Sequence, residues 1–180
     1  METFDVTKFN VEEYGRILAA GLSKGLGERG KQVCIEAAIC QVLGLEHGDD
    51  PGCVAESVRS FKIRLNDSSW SSPEARAKGL HDLGLAQLGS KGVVSNVEFS
   101  ERVAVLTIKK LLPRLFRETF PNNKKCLDAA ARCEAEGTAN AANAANAAYV
   151  GAADLYLTMS AMLALEVLRE LKSPGIALLK

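Results

Sequence analysis

The run Gly25-Leu26-Gly27-Glu28-Arg29-Gly30-Lys31-Gln32 leads directly into Val33-Cys34-Ile35-Glu36-Ala37-Ala38-Ile39-Cys40. A glycine-rich basic turn at a helix start can hold an anion, because the first helical turn carries unpaired N–H groups and a partial positive charge. Gly25, Gly27 and Gly30 fit the dinucleotide pattern G-x-G-x-x-G. Gly25 to Lys31 also fits the phosphate loop, up to Gln32, where Ser or Thr is needed for magnesium. Both motifs follow a strand, whereas the residues before Gly25 read as a helix. A generic anion site at a helix start and a plain helix–helix connection remain.

Cys34 falls in the first turn of this second helix with Lys31 nearby. Both features lower a thiol pKa, which is how nucleophilic cysteines are prepared. A base is harder to find. His47 lies beyond the far end of the helix, roughly 15–20 Å away by helical rise, and His81 stays open. Cys34, Cys40, His47 and Cys53 are potential zinc ligands. However, a spacing of six turns Cys34 and Cys40 about 120° apart on one helix, unlike short C-x-x-C spacing. No metal site is expected. Asp49-Asp50 with His47 could bind a hard cation, but Asp50 before Pro51 reads better as a helix cap.

The elements that must position these residues read as helices almost throughout. Asn10 with Glu13 starts a first helix carrying Val11, Tyr14, Ile17, Leu18 and Leu22. The second spans about 33–43 and stops at Gly44. The third starts at Asp50-Pro51 and carries Val54, Val58, Phe61 and Leu65 on one face. Ser72-Pro73 opens a fourth, closed by Gly89. Ser95 with Glu98 opens a fifth, reaching Phe120 with a kink at Pro113. Asn123 caps a sixth, ending at Gly137. From Thr138 to Lys172 an alanine-rich segment, with Asn140, Asn143 and Asn146 in a ladder, reads as one long packing helix or half of a helical hairpin. The expected fold is therefore all-α: one domain of six or seven helices, with a helical core over 10–120 and the alanine-rich part over 123–172.

If the second and third helices are antiparallel neighbours, the start of one lies beside the end of the other. Cys34 and Glu36 then meet Arg64, Asn66, Asp67 and Trp70, while His47, Asp49 and Cys53 sit at the opposite end. The first end suits a ligand with phosphate, polar edges and a flat ring. Lys31, Gln32 and the helix start would take phosphate and Arg64 would pair charge. Glu36, Asn66 and Asp67 would meet polar edges and Trp70 would stack.

The chain has 180 residues, 22 basic and 22 acidic, and a formal net charge of zero. That balance argues against a long nucleic-acid face. No apolar stretch of about 18 residues suggests a membrane span, and the acidic start has no secretory h-region. Five irregularly spaced cysteines read as reduced thiols in a cytoplasm.

Val33–Cys40, His47-Gly48-Asp49-Asp50-Pro51-Gly52-Cys53-Val54 and Phe61-Lys62-Ile63-Arg64-Leu65-Asn66-Asp67 together resemble a family of phage and prophage proteins with no assigned role. Trp70, Ala75-Arg76-Ala77, Leu83–Ser90, the alanine-rich segment and Ser173-Pro174-Gly175 extend the resemblance over most of the chain. The front part is also distantly similar to small actinobacterial domains with a Val-Cys helix. The resemblance implies a phage-derived protein in a bacterial host cytoplasm and brings no catalytic residues. Small phage proteins often act in host takeover or anti-defence, and sequestering a nucleotide signal is one physical route. The expectation is a small-ligand binder for a phosphate-bearing nucleotide, without cofactor and homo-oligomeric. The rivals are a hydrolase or transferase using Cys34, Glu36 or Asp67, and an interaction protein using the alanine-rich helix.

Overall fold

The computed structural model describes residues 4–138 and 154–179. Over these the chain is all-helical, and the only β-type contacts are isolated bridges from Leu22 and Gly27 to Val33. The helices are α1 (Val11–Leu18), α2 (Ile35–Val42), α3 (Glu56–Asn66), α4 (Pro73–Ala86), α5 (Asn96–Leu106), α6 (Leu112–Thr119), α7 (Lys124–Glu136) and α8 (Asp154–Glu170). Short 3-10 turns at Val6–Lys8 and Pro174–Leu178 pack together near the two ends. The asparagine ladder at 140, 143 and 146 lies outside the described residues.

Local caps start four of these helices where the sequence places them. Asn10 Oδ1 accepts from the Glu13 N–H at 2.9 Å, Ser72 Oγ from Ala75 at 3.1 Å, Ser95 Oγ from Glu98 at 3.3 Å, and Asn123 Oδ1 from Cys126 at 3.3 Å. Each acceptor satisfies an N–H that the first turn leaves unpaired. Gly137 closes α7 in the left-handed conformation at φ +64°. The kink expected at Pro113 is a π-helical turn over Thr107–Leu111, because proline supplies no N–H to the preceding carbonyls.

Three expectations are corrected. The first helix ends at Leu18, so Leu22 is buried in an extended connection rather than in α1. The third helix starts at Glu56, not at Asp50-Pro51. Asp50 Oδ1 instead accepts from the Gly52 N–H in a tight turn, and the Ala55 N–H is met by Ser90 Oγ at 2.9 Å. The second helix starts one residue after Cys34, and Cys34 is its cap.

The buried face of α4 is the centre of the molecule. It packs against α1, α2, α3, α8 and the Pro174–Leu178 turn. Close approach is possible because α4 carries Gly84 where a Cβ would lie 2.1 Å from the Tyr14 hydroxyl. A smaller second core, built on Phe116, Ala129 and Ala130, holds α6 against α7.

Candidate functional site

Three polar side chains from three helices meet inside the main core. Glu36 of α2, Lys62 of α3 and Gln87 at the end of α4 are all fully buried. Lys62 Nζ stands 2.9 Å from Glu36 Oε1, and Gln87 Nε2 donates to Glu36 Oε2 at 2.9 Å. The lysine approaches outside hydrogen-bonding alignment. Glu36 Oε1 and Lys62 Nζ are therefore joined by charge, and Gln87 Oε1 has no hydrogen-bond partner among the described residues. Burial pushes the Glu36 carboxyl up and the Lys62 ammonium down, and the contact between them opposes both shifts.

Glu36 also lines a cavity of about 60 Å³ at the start of α2. Gly25 and Leu26 of the glycine loop form one wall, Cys34 and Ile35 a second, and Ile63, Asn66 and Asp67 of the α3 end a third. Asp49 stands at its rim. The expected antiparallel pairing of α2 and α3 is present, since the Ile35 N–H donates to Asn66 Oδ1 at 3.4 Å. The expected position of the 45–53 loop is not. The loop folds back, His47 Nε2 reaches the Gly27 carbonyl at 3.2 Å, and Asp49 lines the same cavity as Cys34. Arg59 holds that loop through Asp49 and Asp50, at 3.5 and 3.6 Å.

The structure brings Cys34, Glu36, Asn66 and Asp67 to this cavity and leaves Lys31, Gln32, Arg64 and Trp70 off its walls. Lys31 is exposed and pairs with Glu28 at 2.9 Å. Gln32 donates to the Ala20 carbonyl at 2.8 Å. Arg64 is exposed and makes no ion pair among the described residues. Trp70 is buried against Gly79, and its indole N–H donates to the Leu65 carbonyl at 2.9 Å. It fixes the turn after α3 rather than offering a face for stacking.

The residues at the cavity are themselves engaged with the chain. Cys34 Sγ accepts the Ala37 N–H at 3.3 Å, and burial raises its thiol pKa. It is therefore a helix cap held as the neutral thiol, the reverse of a prepared nucleophile. Asn66 donates to the Ser23 carbonyl at 3.0 Å, and Asp67 Oδ1 accepts from the Gly25 N–H at 2.8 Å and from Asn66 Nδ2 at 2.9 Å. Arg76, buried, adds bonds to the Asn66 and Leu22 carbonyls at 2.8 and 2.7 Å. Together these pin the glycine loop onto α3.

The same bonds occupy several of the donors that an anion would use. The Gly25, Cys34, Ile35 and Ala37 N–H groups are already met by Asp67, the Leu26 carbonyl, Asn66 and Cys34. Gly27 shows how tightly the loop is wound: at φ +74°, a Cβ there would lie 2.3 Å from the Gln32 carbonyl oxygen. Each carboxylate at the cavity has a cation near it: Lys62 for Glu36, Arg59 for Asp49 and Arg76 for Asp67.

His81, the other candidate base, lies in a separate open groove beside Leu18, Glu74 and Lys78, with Nδ1 2.8 Å from Asp82 Oδ1. Cys34 is not part of that groove. Among the described residues no group of three or more His, Cys, Asp or Glu is placed to hold a metal ion. No disulfide forms among the five cysteines. No described helix is long and apolar enough to cross a membrane.

Sequence reasoning singled out Glu36 but missed Lys62, Gln87 and Arg76. Lys62 carried a signal: it follows Val58 by four residues and precedes Leu65 by three, on the apolar stripe of α3. A lysine there is buried with a partner or not tolerated. Gln87 and Arg76 lie far along the chain from what they touch, so no local pattern marks them. Comparison with protein-family models, curated proteins and solved structures returned no match.

Proposed function

We propose that this protein binds a small polar ligand at the α2–α3 cavity and carries out no reaction on it. The observation that supports this best is the cavity itself, walled by elements pinned to one another and lined by the buried carboxylate of Glu36. Pre-organised pockets with a few convergent polar groups are the usual form of a binding site. A catalytic reading needs a nucleophile beside its base, and Cys34 and His81 lie in different places.

The ligand enters by one end only. A cavity of about 60 Å³ is far below the roughly 300 Å³ that encloses a whole drug-sized molecule. A nucleotide would keep its phosphates outside and present a donor-bearing edge. In the phage setting that the sequence resemblance implies, binding without chemistry acts by sequestration of a host metabolite or signal.

Mass spectrometry of small molecules released from the purified protein, combined with thermal-shift screening of nucleotides, amines and carboxylates, tests the proposal. At a hundred times its Kd, a ligand stabilises by about 2.7 kcal/mol, a shift of roughly 5–10 °C for a chain of this size. Ile63→Phe, which puts a ring into the cavity, should abolish that shift. No shift with any class, or a shift indifferent to Ile63→Phe, refutes it.

A further inference from the structure

Apart from the α2–α3 cavity, an open groove lies on the surface where α3 and α5 begin side by side. We propose that this groove docks one helix of a partner protein, antiparallel to α3 and α5, with an apolar stripe and lysine or arginine in its last turn.

The two walls fix the shape. Asn96 Oδ1, in the first turn of α5, accepts from the Ser57 N–H at 3.0 Å and from the Ser57 hydroxyl at 2.9 Å, in the first turn of α3. One turn further on, the Phe61 and Phe99 rings meet edge to face at 6.1 Å. The two helices therefore run in the same direction with their starts together. The groove between them holds about 490 Å³, and Ser57, Ser60 and Ser100 give it short walls. Short walls let a third helix settle at the about 8–10 Å spacing of packed helices.

Apolar surface comes next. α5 buries Phe99 and Val103 and turns Val97, Glu101, Ala104 and Val105 outward, on one helical face. Val97 is 66% exposed and Val105 41%. The stripe from Val97 to Val105 is about 12 Å long, a little over two turns of a partner helix.

Charge selects the partner and its direction. Glu56 and Glu101 line the groove, and no cation does. The nearby arginines are committed elsewhere, Arg59 to Asp49 and Asp50, and Arg102 to Glu98 and Glu170. A second copy laid with α5 against α5 about a two-fold axis would bring the two Glu101 side chains together, which disfavours that occupant. An antiparallel partner helix brings its C-terminus to the starts of α3 and α5. Its negative dipole end then faces two positive ends, and basic residues in its last turn, where a helix favours them, meet Glu56 and Glu101.

The test uses the whole chain and two fluorescein-labelled synthetic helices of about fourteen residues, roughly 21 Å long. Both carry the same leucine stripe. One has glutamates in its first turn and lysines in its last, and the other has them reversed. Fluorescence anisotropy should show the first bound about ten-fold more tightly than the second. Glu101→Lys should remove that preference, and Val97→Ser should weaken the binding about ten-fold. Ala104→Arg should block it. These three positions are exposed, so the thermal midpoints of the variants should stay at the parent value. Equal binding of the two helices, or binding that survives Ala104→Arg, overturns the proposal. So does binding of neither helix. Self-association of the chain that Val97→Ser abolishes, without helix binding, overturns it in favour of a second copy.

Discussion

Glu36 and Lys62 meet directly across two helices at 2.9 Å, both fully buried, so neither charge tolerates the loss of the other. Removing one member of a buried pair costs about 3–5 kcal/mol, whereas replacing both by groups of similar shape can be neutral. Glu36→Gln and Lys62→Met should each lower the urea midpoint strongly, and the double variant should recover most of the loss. Additive losses in the double-mutant cycle would show that the pair does not couple. The pair also explains the limits of reading single residues. Glu36 was legible because a carboxylate in the first turn of an apolar helix is conspicuous. Its partner was hidden in Phe61-Lys62-Ile63-Arg64, where two basic residues look alike. Helical phase separates them: Lys62 sits on the stripe with Val58 and Leu65, and Arg64 points to solvent.

At the scale of elements, what was legible followed the range of the interaction. The caps by Asn10, Ser72, Ser95 and Asn123 act over three residues, so their sequence signatures suffice. Asp50 misled because Asp-Pro fits a cap equally well as a turn, and Ser90, far along the chain, supplies the acceptor for the Ala55 N–H. The fold-back of the 45–53 loop was illegible for the same reason. It depends on Arg59 and Gly27, neither of which marks a loop direction by itself. The start of α8 is likewise fixed from a distance. Asp154 accepts from the Ser71 N–H at 2.8 Å and from the Ser71 hydroxyl. The hydroxyl bond first, and the N–H bond second, hold its carboxyl below the usual 3.8. A depressed carboxyl contributes stability that is present above pH 3.8 and is lost as pH falls through the folded value. Urea midpoints from pH 6 down to pH 2.5 should therefore fall less steeply for Asp154→Asn than for the parent. Parallel curves would remove this contact from the acid response.

The described residues form two cores of unequal size. The larger joins α1–α5, α8 and the C-terminal turn, and the smaller holds α6 on α7 through few apolar groups. The exposed Arg117–Glu134 pair adds little to the smaller unit, and the exposed Lys110–Glu166 pair adds little to its tie to α8. Local opening follows the density of buried contacts. Amide exchange should accordingly be faster in α6 and α7 than in α2 and α4 by orders of magnitude. Uniform protection would mean that the two cores open as one. The all-helical class was readable from periodicity, but this division was not, because α5, the π turn and α6 run on as one apolar pattern in sequence.

The buried ion pair has one more consequence, for how α3 finds its place. Greasy contacts are permissive: a helix carrying valine, phenylalanine and leucine can roll by a residue and still hide oil against oil. Lys62 forbids that. A one-residue slip turns α3 by about 100°, strands the ammonium in hydrocarbon and leaves Glu36 with Gln87 as its neutral partner. The charge pair therefore works as a key cut for one setting of the lock. Once α3 is seated in that setting, Ile63, Asn66 and Asp67 have only one direction in which to face.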